Sequence, residues 1–80
     1  MDSDKILEEI QEIFRDILDQ QNLVIHPETN ADEVEDWDSL NHIQLVVAIE
    51  KHFKMRFTSK EIQSWKNVGE MIICIKEKMV

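Results

Sequence analysis

Apolar residues recur along the chain at helical rather than strand spacing. Ile6, Leu7, Ile10, Ile13, Phe14, Ile17 and Leu18 follow the i, i+3, i+4, i+7 rule without a break, which places them on one face of a first helix. Glu8, Glu9, Glu12, Asp16 and Asp19 take the opposite face, and Asp2, Ser3 and Asp4 offer cap and dipole charge at its start. A second run, with Leu40, Ile43, Leu45, Val46, Val47, Ile49 and Phe53, predicts a helix from about Asp38 to Phe53. Its apolar face is wider than a surface helix needs, and most of it reads as core, Val47 and Phe53 included. Asn41, His42, Gln44, Glu50, Lys51 and His52 are left to face solvent. Thr58-Ser-Lys-Glu61 has the spacing of a capping box and opens a short third helix holding Ile62 and Trp65. Asn67-Val-Gly-Glu70 repeats that spacing and opens a fourth, in which Val68, Met71, Ile72, Ile75 and Met79 recur.

The stretch between the first two helices, Gln20 to Trp37, is long for a helix–helix connection. Leu23, Val24 and Ile25 form one apolar clip in it, Val34 and Trp37 another, and Pro27 stops helix propagation between them. The loop is therefore expected to lie back over the helices and bury part of itself. Lys54-Met-Arg-Phe57 reads as an extended linker anchored by Met55 and Phe57. These elements predict an all-α fold, a small four-helix bundle with a short third helix and a long loop between helices one and two.

Residues 1–80 read as a single domain, and a chain this short buries only about 60–65% of its unfolded surface. One glycine, one proline and no tyrosine speak against hairpins, and 42% hydrophobic residues are too many for a disordered chain. No apolar run approaches the roughly 18 residues of a membrane span, and Met-Asp-Ser-Asp does not read as a leader. The lone Cys74 excludes an internal disulfide, fits a reducing cytoplasm and reads as an inert, partly buried thiol. A cytoplasmic monomer is expected.

The net charge of −8 is unevenly spread. Residues 1–38 carry 13 acids and 2 bases, a net −11, whereas residues 39–80 carry 4 acids and 7 bases, a net +3. An acidic total argues against nucleic-acid binding and suits a partner with a basic docking surface, although acids also keep a small domain soluble. The Asp/Glu cluster at 32–38 raises the question of calcium. An EF-hand loop starting at Asp32 needs an oxygen ligand at 34, glycine at 37 and glutamate at 43, and the chain has Val34, Trp37 and Ile43. His26, His42 and His52 have no metal-ligand spacing and read as exposed or capping residues. No metal site is expected.

The candidate chemistry lies at Asp38-Ser39-Leu40, where the acidic loop meets the second helix. Asp38 is a good N-cap, leaving the Ser39 hydroxyl in the first turn, at the positive end of the helix dipole. A phosphate on that hydroxyl would sit near unpaired backbone N–H groups. The stretch from Trp37 to Phe53, Trp-Asp-Ser-Leu-Asn-His-Ile-Gln-Leu-Val-Val-Ala-Ile-Glu-Lys-His-Phe, resembles the modification site and second helix of an acyl carrier protein, and the likeness extends from Ile6 to Ile75. The resemblance implies a four-helix bundle without bond chemistry of its own. It implies 4′-phosphopantetheine on Ser39, with Asp38 and Leu40 as recognition context, holding acyl groups as thioesters. It implies a phosphopantetheinyl transferase and acyl-loading and acyl-transferring enzymes as partners. Asp36, Asn41, Ile43, Gln44, Val47 and Glu50 are the expected docking surface.

The exposed face of the second helix departs from the fatty-acid-type pattern. Asn41 and Gln44 are neutral where such carriers hold acids, only Glu50 remains, and His42, Lys51, Lys54, Arg56 and Lys60 make that side partly basic. A specialised fatty-acid, lipid or polyketide pathway is expected rather than the general synthase. Two other readings compete. A serine esterase would use Ser39, His42 and Asp38, but adjacent positions on one helix point Asp38 away from His42, and the glycines of a nucleophile elbow are missing. The other is an acidic helical module that binds a protein and is never modified.

Overall fold

Four helices form where capping signals and apolar periodicity coincide. In a computed structural model describing residues 2–79, they are α1 (Ser3–Leu18), α2 (Ser39–Phe53), α3 (Ser59–Ser64) and α4 (Val68–Met79), with no strand among the described residues. Asp2 accepts from the Lys5 N–H (2.8 Å) and Asp38 from the Asn41 N–H (2.9 Å), each satisfying one of the orphan donors of its first turn. At α3 the capping box forms in full, the Thr58 hydroxyl accepting from the Glu61 N–H and the Glu61 carboxylate from the Thr58 N–H. The Thr58 N–H and the Lys78 ammonium, 3.0 Å away, hold the Glu61 carboxyl down to about 2. At α4 half of the expected box appears. Asn67 accepts from the Glu70 N–H, but the Glu70 carboxylate reaches back to the Lys66 N–H, one residue too early.

α1 packs against both α2 and α4 and is the centre of the bundle. It contributes Ile6, Ile10, Phe14 and Leu18 to the core, facing Leu45, Val46 and Ile49 of α2 and Val68, Met71, Ile72 and Ile75 of α4. Trp65, expected inside α3, lies just past its end; it and Ile62 pack on the core from the side, and α3 buries no residue fully. Phe57 is buried, as the linker reading requires, and Met55 packs beside it. Lys78 lies over the Phe57 ring, 5.6 Å from its centroid, while paired with Glu61, and so ties α4 to the linker and α3. Cys74 is half-buried with Sγ 3.6 Å from the Glu61 carboxylate; burial and that charge push the thiol up, away from the reactive thiolate.

The long α1–α2 loop does lie back on the bundle. Ile25, Val34 and Trp37 are buried and Leu23 partly so, but Val24 faces solvent. Side chains of α1 hold it from beneath: Gln11 accepts from the Ile25 N–H (3.0 Å) and Arg15 Nε donates to the Leu23 carbonyl (2.7 Å). The loop in turn caps α4. The Thr29 carbonyl accepts from the Val68 N–H (2.9 Å) and the Pro27 carbonyl from the Gly69 N–H (2.7 Å). This close approach accounts for the one glycine, since a Cβ at Gly69 would lie 3.0 Å from the Pro27 oxygen.

Two expectations for α2 need correction. Val47 is not core: Leu40, Ile43 and Val47 form one row that faces solvent, 70%, 54% and 42% exposed. Phe53, in the last turn, is only half-buried. The row meeting α1 is the other one, Leu45, Val46 and Ile49, and turned back one step at helical spacing it begins at His42. His42 therefore sits on the inward side, not among the exposed polar residues.

Candidate functional site

Ser39 is the first residue of α2, exposed, with Asp38 in extended conformation before it as N-cap. The turn leading in is shaped by Asp36, left-handed at φ 69°, whose carbonyl accepts from the Asn41 side chain (2.7 Å). Asp38 uses its carboxylate on the Asn41 N–H and its carbonyl on the His42 N–H. Among the described residues nothing pairs the Ser39 and Leu40 N–H groups. Two free donors thus stand at the positive end of a helix, beside an exposed hydroxyl.

Next to Ser39 opens a cleft of about 620 Å³ between α2 and α3. Trp37, His42, Ile43, Ile62, Trp65 and Lys66 are among its lining residues. His42 is central to this wall. The Trp37 indole N–H donates to His42 Nδ1 (3.1 Å), which places the imidazole proton on Nε2. Trp37 stacks on His42, Trp65 meets it edge-on, and Phe14 and Phe57 continue the aromatic series on either side. Removing the acceptor would leave the indole N–H unpaired in a buried place, at about 1–3 kcal/mol.

Burial holds the His42 pKa below the usual histidine value, because it penalises the charged form. The unfolded chain therefore binds more protons here than the folded one. Stability from this residue is complete above the ordinary histidine value, about pH 6.5, and is lost as pH falls through that value toward the lowered one. Melting followed between about pH 7.5 and 5.5 is expected to show a larger acid-induced drop in Tm for the native chain than for His42→Asn, which keeps an acceptor near Nδ1 but does not titrate. Equal drops would mean that His42 does not couple to folding.

The other anticipated positions divide by what they touch. Leu40, Ile43 and Val47 are a free apolar row, with Gln44 exposed beside it. Glu50 is half-buried and its carboxylate accepts from the Phe57 N–H (2.8 Å), so it braces the linker rather than standing free for a partner. Ser39, His42 and Asp38 do not assemble as a hydrolase relay, because Nδ1 of His42 is taken by Trp37 and the Asp38 carboxylate by backbone. Trp37 was read only as an apolar clip, and Ile62 and Trp65 only as parts of a short helix. Lys66 had no role. The available signal was His42 at i−3, i−4 and i−7 from Leu45, Val46 and Ile49.

A family model described as a phosphopantetheine attachment site matches residues 8–75. The acyl carrier protein of Rubrobacter xylanophilus is 31% identical over 77 residues, 96% of this chain and 95% of that one. That of Thermosynechococcus vestitus is 28% identical over 79 residues, covering 99% and 98%. This chain belongs to the acyl carrier protein family. Its backbone is similar to the solution structure of the holo acyl carrier protein from Geobacter metallireducens, with TM-score 0.85, 37% identity and 91% of this chain and 84% of that chain covered. The relatives are carriers rather than catalysts, and the prosthetic group of the family is covalent 4′-phosphopantetheine. Family membership implies a phosphopantetheinyl transferase and acyl-handling enzymes as partners of the carrier. Among the described residues no helix is long and apolar enough to cross a membrane.

Proposed function

We propose that Ser39 carries the 4′-phosphopantetheine arm, recognised through Asp38 and Leu40, and that the carrier serves a specialised fatty-acid, lipid or polyketide pathway. The observation that supports this most is the exposed Ser39 hydroxyl at the head of α2, next to two unpaired N–H groups and the mouth of a cleft. When bound, the group supplies a terminal thiol that holds acyl groups as thioesters. The residues present fit it. The Ser39 and Leu40 N–H groups and the helix dipole favour a phosphate at Ser39, and Lys66 adds a cation to the cleft. Tethering raises the effective concentration of the cargo at each partner enzyme. Incubation with a phosphopantetheinyl transferase and coenzyme A is expected to add the mass of one arm to the intact protein. No addition would contradict the reading and leave the unmodified interaction module in its place.

Partners dock, on this reading, on the exposed row Leu40, Ile43 and Val47, with Asn41 and Gln44 beside it and Asp36 at its head. Its charge is polarised. Asp32, Glu33, Glu35, Asp36 and Asp38 precede the row, whereas Lys51, Lys54 and Arg56 line a shallow pocket with Val47 at its far end. Such a surface matches a partner with both signs and disfavours a uniformly basic one. Neutralising the head with Glu35→Gln and Asp36→Asn is expected to slow acylation by the cognate enzyme severalfold at low salt. The deficit should shrink near 1 M salt, where screening shortens to about 3 Å. A deficit insensitive to salt would show that these acids act through structure instead of charge.

A further inference from the structure

We infer that the cargo of this carrier is a short acyl group, free to bear polar substituents, that stays outside the bundle, because the wall Trp37–His42–Trp65 closes the way from Ser39 to the apolar core. The inference rests on Ser39 bearing the arm. An acyl chain leaving that arm meets the cleft between α2 and α3, and the inner lining of that cleft is mainly aromatic, Trp37, His42 and Trp65, with Ile62 beside them. At its centre is His42, bonded to the Trp37 indole on one side and met edge-on by Trp65 on the other. These two contacts join the loop before α2, α2 itself and the end of α3, the three segments that would have to part to admit a chain.

Behind the wall the aromatic contacts continue into the core. Trp37 is edge-on to Phe14 at 4.9 Å, and Trp65 is edge-on to Phe57 at 5.0 Å. Phe14, Leu45 and Met71 are fully buried. Passing a methylene chain inward would unpair a buried indole N–H and break an aromatic contact before any apolar surface is gained in return. Staying outside costs neither. The outer part of the cleft offers Ser59, Gln63 and Lys66, which suit hydroxyl, keto or carboxyl substituents better than a long hydrocarbon. Cargo selection would then lie partly in the carrier, since a long aliphatic chain would remain in water and be handed over or lost.

The test loads the full chain from butyryl-, hexanoyl-, octanoyl- and decanoyl-coenzyme A with a phosphopantetheinyl transferase and follows cleavage of each thioester by hydroxylamine. Each rate is divided by that of the same acyl-coenzyme A, which removes intrinsic reactivity. A bundle that sheltered the chain would exclude water and nucleophile progressively as the chain lengthens, whereas the closed wall predicts normalised rates within about twofold of one another. The two indole N–H signals provide the second readout. Trp37 should keep its chemical shift through the series, while Trp65, at the edge of the cleft, is free to move. Slower cleavage of decanoyl than butyryl by about tenfold or more, accompanied by a shift of the Trp37 signal, would overturn the inference. If Ser39 accepts no acyl arm at all, the carrier reading falls, and this one with it.

Discussion

Replacing Phe14 by alanine is expected to lower the stability of the folded chain by about 3–5 kcal/mol, a large share of the roughly 5–15 kcal/mol typical of a domain. Phe14 is fully buried, sits on the α1 face that meets both α2 and α4, and packs edge-on against Trp37. Its loss removes the largest side chain among those fully buried and the support behind the cleft wall. Phe53→Ala is the informative contrast: Phe53 is half-buried in the last turn of α2 and should cost clearly less. Chemical denaturation of both variants checks the ranking. A Phe53 effect equal to that of Phe14 would mean that α2 turns a different face to the core.

Ile43→Asp is expected to leave the melting temperature nearly unchanged while lowering kcat/KM for the partner enzymes by about thirtyfold. Ile43 is 54% exposed, so its replacement removes little buried surface, and surface changes of this kind usually stay within about 0.5 kcal/mol. In a docked complex it would be the middle of the Leu40–Ile43–Val47 row, where a buried apolar anchor is commonly worth about 2 kcal/mol or more and an unpaired carboxylate costs further. Stability and transfer rates, measured on the same preparation, separate the two effects. A large loss of stability would place Ile43 in the core; unchanged transfer would remove this row from the docking surface.

These two variants show where the sequence spoke clearly and where it was ambiguous. α1 has one apolar row against one acidic face, so its inward side is legible from spacing alone. α2 has two apolar rows, and periodicity cannot tell which one the rest of the chain covers. Val47, in the Leu40–Ile43–Val47 row, was read as core although it is exposed, because nothing local distinguishes that row from Leu45–Val46–Ile49. His42 was misread for a related reason. A polar residue at the start of the inward row looks like solvent-facing surface until its partners are known, and Trp37 and Trp65 reach it from other segments. The capping of α4 by the Pro27 and Thr29 carbonyls is likewise made by backbone groups far away in sequence. By contrast, the Asp38 cap, the position of Ser39 and the Thr58–Glu61 box are local devices, and these the sequence showed directly.

The central claim is that Ser39 bears the prosthetic arm. Tandem mass spectrometry of the protein, digested after treatment with a phosphopantetheinyl transferase and coenzyme A, tests it most directly. The account predicts one adduct, carried by Ser39 alone, and no adduct on a folded Ser39→Ala variant. An adduct on Ser3, Ser59 or Ser64, or an untouched Ser39 in the native chain, would contradict it.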